Sequence, residues 1–186
     1  MKKQFLCALM ALMLAIAPAM AEGGLVAALG TPEPVPAEFE ADGLQIVLPL
    51  GMIILEGDAL AAHETAVQLD YPEAARTILA AVDAQRGAAL ILAEADSEQD
   101  CLDAARSTAE ALTGDPDAAE EVEFGENRAA AFTCELDEQT YSLYYLSDGS
   151  RLIIIAALGL EQDEIDEMLS ELRFSSPRIA EEEDLP

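Results

Sequence analysis

The sequence predicts an α+β domain built on an antiparallel sheet with helices packed on both faces. Residues 152–158 (Leu-Ile-Ile-Ile-Ala-Ala-Leu) are apolar at every position, so they read as a central strand covered on both sides. Residues 128–136, 140–146 and 151–158 follow one another across tight polar turns, which is the pattern of an antiparallel meander. Residues 161–172 place Ile165, Met168, Leu169 and Leu172 at i, i+3, i+4 and i+7, the spacing of an amphipathic helix with one buried stripe.

The other elements follow in chain order. Gly43-Leu44-Gln45-Ile46-Val47-Leu48-Pro49 reads as a strand stopped by proline, with Leu44, Ile46 and Leu48 on one face and Asp42-Gly43 as the turn before it. Residues 52–55 make a second short strand and complete a hairpin. Asp58 caps a helix over 59–69 that turns Leu60, Val67 and Tyr71 inward, and Pro72 ends it. The apolar runs 78–82 and 88–93 form a second hairpin around Asp83-Ala84-Gln85-Arg86-Gly87. Ser97 with Asp100 resembles a capping box for a helix over 98–113. Its inward residues are Leu102, Ala105, Ala109 and Leu112, and Gly114 and Pro116 stop it. In the meander, Ser147-Asp148-Gly149-Ser150 is the clearest turn, because Asp-Gly supports the positive φ angles of a two-residue hairpin loop. Glu161, Asp163 and Glu164 suit the start of the last helix, and Arg173 suits its end.

This single domain spans 37–174, between two segments of different character. Lys2 and Lys3 precede thirteen uncharged, largely apolar residues, 5–17, after which Pro18 and Ala19-Met20-Ala21 form a signal-peptidase site. Thirteen residues fall short of the roughly 20 a spanning helix needs. Residues 1–21 are therefore expected to be a signal peptide cleaved after Ala21, giving a secreted or extracytoplasmic chain that does not insert in the membrane. Residues 22–36, with Pro32, Pro34 and Pro36 on alternate positions, read as an extended flexible linker. Residues 175–186 read as a disordered acidic tail.

Both lysines lie in the signal, so the exported chain carries seven arginines against 37 acidic residues, a formal charge of −30. Such a field repels nucleic acid and anionic membranes, which excludes both as partners. A solvated, solubilising surface is the leading account of the charge, and a docking face for a basic partner or for divalent cations is the alternative.

The strand Gly43 to Pro49, together with the apolar strand 152–158 followed by Asp163-Glu164-Ile165-Asp166-Glu167-Met168-Leu169 and Leu172-Arg173-Phe174, resembles the PsbP-like group. That group includes extrinsic photosystem subunits and DcrB-type envelope proteins. The resemblance covers about residues 39–174. It implies a three-layer sandwich and a binding or assembly role outside the cytoplasm, and it transfers no functional residue.

The residues themselves carry no catalytic signature. His63, the one histidine, sits on the predicted first helix with no nucleophile motif to serve. Two cysteines survive signal removal, Cys101 and Cys134, and form either a disulfide or two buried thiols. One His and two distant Cys cannot make a zinc site. Asp115 and Asp117 with Glu120 and Glu121, or Asp96, Glu98 and Asp100, are the best oxygen groupings for calcium, but neither has the register of a calcium loop. No cofactor is expected. The outer face of the last helix carries Asp163, Glu167 and Glu171 four residues apart, like charges that a basic partner would relieve. The leading expectation is a non-enzymatic exported module that binds an exported or envelope protein. The alternatives are a divalent-cation-binding or charge-buffering protein, and a small carboxylate-dependent hydrolase.

Overall fold

The computed structural model describes residues 37–41, 43–56, 76–95, 100–136, 138–147 and 151–174. The predicted signal, linker, first helix with His63, and acidic tail lie outside these residues, as do Asp42, Asp96 to Glu98 and the turn residues Asp148 to Ser150.

The described strands are β1 (Glu38–Ala41), β2 (Leu44–Val47), β3 (Ile53–Ile54), β4 (Arg76–Asp83) and β5 (Ala88–Ala95), then β6 (Glu120–Phe124), β7 (Asn127–Leu136), β8 (Gln139–Ser147), β9 (Leu152–Leu158) and β10 (Arg173–Phe174). Helix α1 (Cys101–Thr113) lies between β5 and β6, and helix α2 (Gln162–Glu171) between β9 and β10. Seven strands pair in the order β3-β4-β5-β9-β8-β7-β6, and three make a smaller sheet in the order β1-β2-β10. All described pairings are antiparallel. The chain is an α+β protein, as expected.

Alternation of side chains across the pleat divides the large sheet into two apolar faces. On β9, Leu152, Ile154, Ala156 and Leu158 join one cluster, while Ile153, Ile155 and Ala157 join the other. Every residue of β9 is buried, which fits its place between β5 and β8. The first cluster takes in Ala104, Ala105 and Ala109 of α1, which packs against β7 and β8. The second takes in Leu44, Ile46 and Leu48 from β2, and Ile165, Met168, Leu169 and Leu172 from and after α2. Ile78 and Leu79 are consecutive yet share the second cluster, because a bulge in β4 resets its register after Thr77.

Four expectations are corrected. Residues 44–48 and 52–55 do not pair with each other: β2 pairs with β1 and β10, and β3 with β4 in the other sheet. There are two described sheets, since β2 lies over the large sheet with Leu44, Ile46 and Leu48 pointing into the second cluster. Strand β6 was not expected, because Glu120-Glu121-Val122-Glu123-Phe124 is charged at three of five positions. As an edge strand it buries only Phe124, and charge suits an edge that must not template further pairing. Helix α1 is capped by Asp100, whose carboxylate accepts from Leu102 N–H at 2.9 Å. Its buried stripe is Ala104, Ala105, Thr108 and Ala109, with Leu102 and Leu112 only partly buried against the same cluster. Small residues face the sheet, so the helix approaches closely.

Under α1, Tyr145 stacks on Phe132 with ring centroids 6.3 Å apart. Its hydroxyl is fully buried and has no partner within hydrogen-bond geometry among the described residues. Thr108 is the nearest polar side chain, with its own hydroxyl donating to the Ala104 carbonyl at 3.0 Å, and only a shift of Thr108 would let it accept from the phenol. Burial pushes the Tyr145 phenol upward, so it stays neutral. Tyr145→Phe keeps the ring contact and removes an orphaned polar atom, so urea titration should show stability unchanged or higher by up to about 1 kcal/mol. A loss larger than about 1 kcal/mol would mean that the hydroxyl is bonded.

Candidate functional site

Helix α2 begins where the predicted acidic start stands. Glu164 accepts from the Glu161 backbone N–H at 3.1 Å, and the first helical bond runs from Ile165 N–H to the Glu161 carbonyl. At the other end Asn127, the first residue of β7, donates its side-chain amide to the carbonyls of Leu169 (2.8 Å) and Leu172 (2.9 Å). The last carbonyls of a helix have no partner within it, so a neighbouring strand satisfies them. The helix is thus fixed at both ends, with Ile165, Met168 and Leu169 buried beneath it.

Asp163, Glu167 and Glu171 lie exposed on its outer side, and no cation among the described residues pairs with them. A groove of about 240 Å³ runs beside α2. One wall is Glu164, Glu167, Met168 and Glu171; the other is Val47, Leu48, Pro49 and Leu50, the chain leaving β2. Of the predicted acidic face, the groove therefore gathers Glu167 and Glu171 and leaves Asp163 outside. Leu50 is 52% exposed, and it is the large apolar side chain left exposed among the described residues.

Sequence reasoning placed Arg86 in the turn of the second hairpin but gave it no role at α2. In the β4–β5 turn its Nε donates to Asp83 (2.7 Å), its Nη1 to Glu164 (2.6 Å) and its Nη2 to the Leu50 carbonyl (3.1 Å). It therefore joins both walls of the groove to the turn of the large sheet. The signal was there in composition: a chain with seven arginines against 37 acids can place each one selectively. Burial alone would raise the Asp83 carboxyl, but hydrogen bonds from Arg86 and from the Gln85 and Arg86 backbone hold it below its ordinary value. Glu94 is lowered too, by the hydrogen bond from Arg76, against burial, with help from Arg151. Both carboxyls are held ionised, which is opposite to the direction a general acid needs.

Two members of the groupings considered for metal serve as caps, while Asp96 and Glu98 lie outside the described residues. Asp115 accepts from Asp117 N–H at 3.0 Å and caps the 3₁₀ turn Pro116–Ala118, while Asp100 caps α1. Among the described residues no group of three or more His, Cys, Asp or Glu side chains converges as ligands would. Cys101 and Cys134 share the first apolar cluster as free thiols. Burial pushes Cys134 up to about 11, and burial with the nearby Asp100 charge raises Cys101, so neither is a ready nucleophile. His63 lies outside the described residues.

A larger concavity of about 480 Å³ lies between the start of α1 and β6, lined in part by Asp100, Cys101, Glu121, Glu123 and Arg128. Its charge is mixed, because Arg128 pairs with Glu123 at 3.3 Å. No helix among the described residues is long and apolar enough to cross a membrane.

No protein-family model matches the chain, and no curated protein is similar to it. Among solved structures it is similar to a protein of Bacteroides thetaiotaomicron VPI-5482, with 12% identity, 75% of this chain and 48% of that one covered, and a TM-score of 0.48. The chain thus spans about half the length of that protein. It is also similar to cyanobacterial PsbP (CyanoP) from Synechocystis sp. PCC 6803, with 11% identity, 79% of this chain and 99% of that one covered, and a TM-score of 0.40. This second likeness is weak and is of the PsbP-like kind read from the sequence.

Proposed function

We propose that the chain is a non-enzymatic acidic module, exported by its N-terminal signal, that binds another envelope or extracellular protein through the groove side of α2. One observation carries this reading: Glu167 and Glu171, with no cationic partner among the described residues, rim a groove that also holds the exposed Leu50. Hydrated acids alone serve solubility, but acids set beside an apolar side chain in one groove offer a partner both charge and apolar contact. The layering expected from sequence, a helix over each face of the large sheet, is supported by the two side-chain clusters and gives α2 a rigid base.

The test is a pull-down with the exported chain, residues 22–186, against the secreted and envelope fraction of its native cell at low and high salt. One saturable partner is expected, weakened by salt and by joint neutralisation of Asp163, Glu167 and Glu171. Capture that ignores both salt and those changes would move the docking face elsewhere, and no capture at either salt would end this reading.

A further inference from the structure

The shape and charge of the groove define what fits it, on the premise of the docking face proposed above. We infer that the occupant is an extended protein segment with two basic side chains flanking an apolar one. The stripe Glu164, Glu167, Met168, Glu171 runs seven steps along the helix, about 10 Å at 1.5 Å per residue. The opposite wall, Val47 to Leu50, is four residues of chain, roughly 10–13 Å if extended. The walls are therefore matched in length, and the groove between them is a slot.

Its volume decides the form of the occupant. About 240 Å³ is the liquid volume of roughly eight waters, room for two or three side chains. A helix, about 10–12 Å across, does not enter such a slot. Glu167 and Glu171 are four helical residues apart, about 6 Å along the axis. Side chains at i and i+2 of an extended segment are about 6.6 Å apart on one face. Two basic residues at those positions reach the two carboxylates, and the residue between them turns to the opposite wall, where Pro49 and the exposed Leu50 stand.

The protein already contains a guanidinium seated in this manner. Arg86 spans the walls at the Glu164 end, with one nitrogen on the Glu164 carboxylate and another on the Leu50 carbonyl. Glu164 is thereby occupied, which leaves Glu167 and Glu171 to an incoming pair. The overall charge of −30 steers a basic segment toward the face before contact.

The probe is a fluorescent peptide with Arg-Leu-Arg in a Gly-Ser frame, titrated by anisotropy against the exported chain. The expected result is saturable binding that falls about tenfold between low and high salt. An Arg-Arg-Leu peptide of the same composition should bind about fivefold more weakly, since its charges no longer match the spacing. Glu167→Gln and Glu171→Gln should each cost about fivefold to tenfold, and Leu50→Ser about fivefold with the salt dependence unchanged. Glu110→Gln, exposed on α1 and outside the slot, should change affinity by less than about twofold. Equal binding of the two peptides, or a Glu110→Gln effect as large as Glu167→Gln, overturns the inference. Calcium that abolishes peptide binding at fixed ionic strength also overturns it, in favour of a cation site. If the native partner is captured through α2 while the peptides fail, only the extended-segment inference falls; if both fail, the docking face falls with it.

Discussion

Replacing Arg86 with alanine is expected to cost about 2–3 kcal/mol of folding stability, read as a lowered midpoint at constant slope in urea. The Asp83 side chain is only 8% exposed, and the substitution leaves it ionised with two backbone N–H donors and no countercharge. The guanidinium is itself 37% exposed, which places the loss below the usual range for a fully buried pair. The same substitution at Arg128 removes an ion pair whose partners are 86% and 70% exposed, and should cost less than about 0.5 kcal/mol. The pH dependence follows from the lowered Asp83 carboxyl. A depressed folded-state value gives stability that is fully present above the unfolded value, near 3.8, and is lost as pH falls through the folded one. Wild type should therefore lose this contribution under acid below about pH 4, and Arg86→Ala should lose less there. An Arg86→Ala chain as stable as wild type at neutral pH would show that the turn is not held by this arginine.

Gly159→Ala should be the more damaging of two glycine substitutions that look alike on paper. Gly159 and Gly114 both have positive φ, 66° and 80°, which costs any L side chain about 1–2 kcal/mol. At Gly114, after α1, a Cβ meets nothing within 4 Å, so that conformational cost is the whole effect. At Gly159 the Cβ would lie 2.9 Å from the Gly87 carbonyl oxygen and 3.2 Å from the Ala88 Cα. Both are backbone atoms of the β4–β5 turn and cannot rotate aside. The expected losses are about 1 kcal/mol for Gly114→Ala and about 3 kcal/mol for Gly159→Ala. Equal losses in thermal or urea unfolding would show that the turn yields.

The elements legible in the sequence were those whose pattern answers to a single environment. β9 was readable because all seven residues are apolar, and α2 because its stripe faces one core. β6 and β10 were not, since an acidic edge strand and a two-residue strand after a helix owe their existence to the neighbours they pair with. The register of β2 was invisible for the same reason: Leu44, Ile46 and Leu48 announce a buried face without saying which sheet they join. The candidate site was half legible. Helical spacing found Glu167 and Glu171, but Leu50 and Arg86 reach α2 from 114 and 78 residues away or more nearly so in space only through the tertiary fold, and no local pattern marks them.

The order of strands in the large sheet also has a bearing on synthesis. β9 sits at its centre but is the last of its seven strands in chain order. Until it arrives, β3-β4-β5 and β6-β7-β8 are separate half-sheets, and β5 and β8 each present an apolar, unpaired edge. A chain stopped short of residue 152 therefore leaves two apolar strand edges open to wrong partners. Arrival of β9 joins the two half-sheets and closes both faces of the core in one step.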